Sequence, residues 1–200
     1  MSTRPNFIYW NATDPAGFLA DDWENPSRIW AGLKVREAIA GGACSLVEVG
    51  PGPGIDYERQ FRALVKDGKL YYTGFEGSSN FCQNLADKFP ESVWRNLQIL
   101  DLPPGGFDVV YEKAVLEHQP CLEPCFSTLL AAARRHVVII WYRPPHDAPF
   151  VHAIGPDGCH YCTFNLSDVL ALVERAGWKV IEQKHFENPV NEGWVLGRRS

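Results

Sequence analysis

Gly50, Gly52 and Gly54 stand at alternate positions, and their spacing is the chain's most direct hint of chemistry. They follow the apolar run Leu46-Val47-Glu48-Val49, with Pro51 and Pro53 between them. Glycines after a strand let the backbone turn tightly and approach a ligand closely. A helix start beyond them offers free N–H groups. The dinucleotide fingerprint is G-x-G-x-x-G; here the spacing is G-x-G-x-G, with a carboxylate, Glu48, two residues before the first glycine. Glu48 would repel a pyrophosphate and suits a ligand carrying an ammonium group. The plain alternative is an ordinary glycine-rich strand-to-helix turn.

Two further acids stand at expected strand ends. Glu76, in Tyr72-Thr73-Gly74-Phe75-Glu76-Gly77, can accept two hydrogen bonds from a ribose diol. Asp101, in Ile99-Leu100-Asp101-Leu102-Pro103, can accept from an adenine amino group while Leu102 packs on the ring. A solvated strand-end charge and simple turn chemistry are the competing readings.

The elements that must position these residues alternate. Pro26-Ser27 opens a helix that runs to Ala40 and stops at Gly41-Gly42. Its Trp30 reads as packing, with Leu33 and Ile39 continuing the same face. Strands are expected over 45–49, 70–75, 97–100, 107–111, 136–142, 178–186 and 193–198. Helices are expected over 56–66, from Ser78 or Ser79 to Pro90, over 122–135, and over 166–176 with Ser167 as cap. Such alternation means a parallel sheet with helices on both faces. The short turn near Asn188-Pro189 permits only an antiparallel hairpin, so the last of seven strands is antiparallel.

Together these motifs resemble the class I S-adenosylmethionine-dependent methyltransferases, over about Ser45 to Arg198. The resemblance rests on Val47 to Gly54, Glu76, Leu100-Asp101-Leu102-Pro103, and Phe107-Asp108-Val109-Val110 continuing into Val115-Leu116-Glu117-His118. It implies an α/β, three-layer Rossmann-like methyltransferase fold with sheet order 3-2-1-4-5-7-6. It also implies S-adenosyl-L-methionine as cofactor and S-adenosyl-L-homocysteine as product. By resemblance Glu48, Gly50, Pro51, Gly52 and Gly54 hold the methionine part, Glu76 the ribose, and Asp101 and Leu102 the adenine end, with Gly77 a further cofactor-binding position. Glu112 would lie near the sulfonium. Pro51 and Pro53 depart from the family's usual loop by stiffening it, and Gly77 leaves the adenine without a bulky neighbour on that side.

The acceptor end is read from four places. His118 is a base or substrate contact, or a histidine that merely holds its loop. Tyr142 and Arg143 leave the fifth strand, and Arg143 could bind an acceptor carboxylate in bidentate fashion. Stretch 143–163 reads as a long irregular substrate loop, with His152 among its contacts. Trp10, beside Tyr9, could lie over the cofactor as a lid, within an N-terminus also rich in aromatics at Phe7, Phe18 and Trp23. Cys159 and Cys162 form C-x-x-C, and Cys121 and Cys125 form C-x₃-C. Four thiolates could hold zinc, but Cys125 sits on an expected helix core face, so no metal is expected.

Whole-chain properties bound the rest. Two hundred residues read as one methyltransferase domain: an N-terminal lid and first helix over 1–40, a cofactor-binding core over 44–198, and the substrate loop within it. Lys and Arg total 19 against 24 Asp and Glu, a net charge of −5, and no basic run occurs. That argues against a nucleic-acid partner. No apolar stretch is long enough for a membrane span, and the N-terminus does not read as a signal peptide. The expectation is a cytoplasmic enzyme with reduced thiols that methylates a small-molecule acceptor. A protein methyltransferase, a non-catalytic cofactor-binding member and a nicotinamide-dependent oxidoreductase are the rivals.

Overall fold

The computed structural model describes residues 8–15, 24–187 and 189–199. Helix α1 (Ile8–Ala12) precedes α2 (Pro26–Ala40), which Asn25 caps by accepting from the Ser27 N–H at 3.0 Å. Strand β1 (Ser45–Val49) leads through the glycine loop into a π-helical turn, Tyr57–Phe61, and α3 (Arg62–Lys66). Then come β2 (Tyr71–Phe75), α4 (Ser79–Lys88), β3 (Val93–Arg95), β4 (Phe107–Lys113), α5 (Leu122–Ala132) and β5 (Ala133–Trp141). A hairpin of β6 (Val151–Ile154) and β7 (His160–Thr163) follows, then α6 (Leu166–Arg175), β8 (Trp178–Glu187) and β9 (Val190–Arg198).

The main sheet runs β3-β2-β1-β4-β5-β9-β8. Neighbours are parallel from β3 to β5, while β9 is antiparallel to both β5 and β8. Counting only its own strands, the order is 3-2-1-4-5-7-6, as the resemblance implies. One apolar layer packs α5 and α6 on the sheet through Phe126, Leu129, Trp141, Val169 and Trp194. The other packs α2, the π-helical turn and α4 through Trp30, Val35, Tyr57, Phe61, Leu85 and Phe89. Strand order reverses between β1 and β4, so the crevice at their carboxyl ends is where such a sheet accepts a ligand. No helix among the described residues is long and apolar enough to cross a membrane.

Several expected elements differ. The third strand is Val93–Arg95, while Ile99–Asp101 is a 3₁₀ turn. Trp94 decides this: its indole N–H donates to the Phe89 carbonyl at 2.9 Å and its ring packs among Tyr57, Tyr72 and Phe89. Stretch 143–163 is not irregular throughout, since β6 and β7 pair from Val151↔Thr163 to Ile154↔His160. Helix α6 is capped by Asn165, which accepts from the Asp168 N–H at 3.2 Å, rather than by Ser167. The helix expected over 122–135 ends at Ala132, because β5 starts early to pair Phe107 with Ala133. On α2 Trp30 is buried as expected, but Leu33 is exposed, and Ala31 and Val35 complete the buried face. Phe7, Phe18 and Trp23 lie outside the described residues.

Candidate functional site

A cavity of about 450 Å³ opens at the β1/β4 crevice. Its walls are the glycine loop, the ends of β2 and β4, the turn before Ile99, the residues just past the end of β5, the β7 end of the hairpin, and Trp10. The glycine requirement is conformational: Gly50, Gly52 and Gly54 have φ of +66°, +56° and +77°, a region other residues enter at a cost. A Cβ on Gly50 would meet Val115 at 2.4 Å, and one on Gly54 would meet Leu85 at 2.5 Å. A Cβ on Gly52 would meet nothing within 4 Å. Gly52 is thus the open point of the loop, whereas its neighbours are glycines for packing as well. Ala114, also on the cavity wall, has φ of +58°, the sole non-glycine with positive φ among the described residues. Strain of this kind persists where the surroundings enforce it, commonly at binding sites.

Glu76 is buried and ties two elements together. Its carboxylate accepts from the Gly52 N–H at 3.0 Å and the Ser78 N–H at 2.8 Å. Burial nevertheless pushes its pKa up to about 7, against those hydrogen bonds. Glu48 lies deeper, where Tyr72 donates to it at 2.6 Å. Burial and the nearby Asp56 push its pKa up to about 8. Asp56 pairs with Arg28 and accepts from Gln60 at 2.8 Å and Tyr111 at 3.2 Å, so the cavity floor is a buried polar network.

The opposite wall carries His118. Its Nδ1 lies 2.8 Å from the His160 carbonyl oxygen. A carbonyl only accepts, so Nδ1 carries the proton and Nε2 is the basic nitrogen of the neutral ring. Trp10 and Tyr161 meet the ring edge-on at 5.6 and 5.5 Å. Burial pushes the His118 pKa down. Arg143 lays its guanidinium 4.6 Å from the centre of the Tyr161 ring. Glu117 accepts from the backbone N–H groups of Tyr142 at 2.6 Å and Arg143 at 3.2 Å, fixing the root of the hairpin to the turn that bears His118. Lys113 and Asn25 both donate to the Tyr142 hydroxyl, at 2.7 and 3.2 Å.

No family model matches the chain, and no protein of curated function is detectably similar in sequence. Solved structures are similar in fold. The 1,6-didemethyltoxoflavin-N1-methyltransferase of Burkholderia thailandensis, with bound 1,6-didemethyltoxoflavin and S-adenosylhomocysteine, gives a TM-score of 0.66 at 14% identity over 88% of this chain and 80% of that one. Magnesium protoporphyrin IX methyltransferase of Synechocystis PCC 6803, with bound S-adenosylmethionine, gives 0.65 at 15% over 96% and 90%. An S-adenosylmethionine-dependent methyltransferase of Mesorhizobium loti gives 0.66 at 16% over 88% and 100%.

The fold is that of the class I methyltransferases.

Within this methyltransferase fold, Glu48, Gly50, Pro51, Gly52, Glu76, Gly77, Trp10, His118, Tyr142 and Arg143 share one cavity. Gly54 does not line it but supports the loop against Leu85 and Phe89. Asp101 and Leu102 are not brought in. Asp101 is exposed and accepts from the Gln98 N–H at 3.0 Å, and Leu102 is core. The residues of that turn facing the cavity are Leu97, Gln98 and Ile99, and Gln98 Oε1 is a buried acceptor with no partner. Reading 97–100 as strand hid Gln98; the Leu102-Pro103 pair, which ends the turn, was the usable signal. Glu112 also misses the cavity. Strand alternation sends it to the opposite face, where it accepts from the Val115 N–H at 3.0 Å and Oε1 has no partner. Burial and the neighbouring Glu117 hold its pKa well above the usual carboxylate range. His152 is on the outer side of the hairpin, stacked on His160 with their ring nitrogens 2.7 Å apart. All six cysteines are free thiols. Cys162 donates to the Gln119 carbonyl at 3.1 Å and Cys125 to the Gln119 side chain at 3.7 Å. No group of three or more metal-ligating side chains occurs among the described residues.

Proposed function

We propose that this protein is an S-adenosylmethionine-dependent methyltransferase with a small-molecule acceptor. One observation carries the reading: a left-handed glycine loop whose Gly52 N–H is fastened to the buried Glu76 carboxylate, at the reversal of strand order, beneath a 450 Å³ cavity. The residues present fit the cofactor. Glu48 has its pKa lifted to about 8, and an ammonium group beside it would restore the ionised form. Glu76 retains lone pairs for the ribose hydroxyls, and the partnerless Gln98 Oε1 can accept from the adenine amino group. When bound, the sulfonium supplies an activated methyl group for in-line displacement. This chain's contribution is then to position and desolvate the reactants. Trp10 and Cys159, His160 and Tyr161 of the hairpin line the same cavity as the glycine loop, so aromatic side chains wall the space left for an acceptor, which supports a small-molecule one. Isothermal calorimetry with S-adenosylhomocysteine and NAD tests the reading. Binding of S-adenosylhomocysteine, with a rise in melting temperature, is the expected result; binding of NAD alone overturns it.

A further inference from the structure

The acceptor wall is more particular than a generic small-molecule site. Its rings, Trp10, His118 and Tyr161, stand edge to face in sequence, so the space between them is walled by π-systems. Aromatic pairs prefer such edge-on and offset arrangements, and a planar ring entering here would find them ready-made. His118 is locked in one tautomer by the His160 carbonyl, and Nε2 has no hydrogen-bond partner among the described residues. Arg143 has no carboxylate within ion-pair distance among them; its guanidinium is exposed at the cavity and braced on Tyr161. Glu117 holds the backbone of Arg143 and sits one residue before His118, which ties together the two backbone segments that carry these groups.

We infer that the acceptor is an aromatic acid, with its carboxylate on Arg143 and a phenolic hydroxyl presented to His118 Nε2 as general base. This rests on the methyltransferase reading above. In the step, an oxygen lone pair of the acceptor forms the bond to the methyl carbon. The carbon–sulfur bond breaks with its electron pair left on sulfur, and the hydroxyl proton passes to His118 Nε2. The ring is suited to this because it is neutral: burial and Arg143 and His160 disfavour its cation, while Asp157 and the His160 carbonyl favour it less strongly. The carbonyl at Nδ1 then accepts the hydrogen bond of the imidazolium that forms. His160 contributes through its backbone and is a positioning residue; its own ring faces outward, paired with His152.

The test uses the whole chain. Calorimetry first measures S-adenosylhomocysteine, then 2-, 3- and 4-hydroxybenzoate and their methyl esters on the saturated protein. At least one hydroxybenzoate should bind, with its ester and the Arg143→Gln protein each weakening binding about tenfold or more. Turnover is then measured with that hydroxybenzoate and with a ring-nitrated analogue, at a pH where titration shows the analogue's phenol already ionised in free solution. His118→Gln should slow the plain hydroxybenzoate by about 100-fold or more, the usual scale of general base catalysis. It should slow the nitrated analogue less than fivefold and leave S-adenosylhomocysteine affinity near normal. A merely structural histidine would slow both alike. Failure of S-adenosylhomocysteine to bind removes the methyltransferase reading itself. If it binds, acid and ester binding equally, no hydroxybenzoate binding, or equal losses with both acceptors overturns this inference alone.

Discussion

Replacing Glu76 should cost both stability and affinity, and the stability cost should shrink as pH rises. As a strand-end charge near solvent, Glu76 would be dispensable to the fold. Instead it is only 7% exposed and accepts two backbone N–H groups, from Gly52 and Ser78. Glu76→Ala strands both donors. A buried donor without a partner costs about 1–3 kcal/mol, and water in the cavity can reach Gly52, so the loss at pH 5.5 should be about 2–4 kcal/mol. The folded-state pKa is raised from 4.5 to about 7. The native carboxyl therefore keeps a proton that the unfolded chain releases. Its contribution is complete below pH 4.5 and is lost as pH climbs through 7. Integrated from pH 5.5 to 8.5, that is about 2 kcal/mol lost by the wild type and not by Glu76→Ala. Urea denaturation of both proteins at the two pH values reads this directly as a closing gap between midpoints. Calorimetry should show S-adenosylhomocysteine binding weakened about 10- to 100-fold, the loss of a charged hydrogen-bond partner. A gap that stays constant with pH would refute the buried-carboxyl argument, and unchanged affinity would refute the ribose placement.

Gln98→Ala should weaken S-adenosylhomocysteine at least fivefold, while Asp101→Ala leaves affinity within twofold and costs about 1 kcal/mol through its lost turn hydrogen bond; the reverse pattern in calorimetry would restore Asp101 as the adenine contact. Gly54→Ala should destabilise by about 3 kcal/mol or more, because Leu85 and Phe89 crowd the site and φ is +77°. Gly52→Ala should cost only about 1–2 kcal/mol of strain yet weaken cofactor binding, and equal melting temperatures for the two variants would contradict the geometry. Glu112→Gln should raise the melting temperature more at pH 8.5 than at pH 5.5. Both Glu112 and Glu117 have raised folded-state pKa values, so their unfavourable ionisation grows with pH; a larger gain at the acidic pH would show the pair is not buried as described.

The alternation of apolar runs with capped helical segments was enough to specify a parallel sheet closed by an antiparallel hairpin, since Pro26, Gly41-Gly42 and Pro189 act locally. Gly50, Gly52 and Gly54 were legible for the same reason: positive φ is a property of one residue and its neighbours. Glu48, Glu76, His118 and Arg143 could be placed because a residue at the carboxyl end of a parallel strand reaches the crevice wherever the strand sits. Other positions depended on contacts distant in sequence. Trp94 chose the third strand by packing on Tyr57 and Tyr72, which shifted the following turn and put Gln98 rather than Asp101 on the cavity wall. Glu112 and Lys113 are adjacent, yet alternation on β4 and the layer of α5 put one in the core and the other on the cavity. The β6–β7 pairing decided that His160, through its carbonyl, rather than His152 would meet His118. Which face a side chain takes, and which backbone atom it finds there, follows from register and packing between elements, and neither is written in the local sequence.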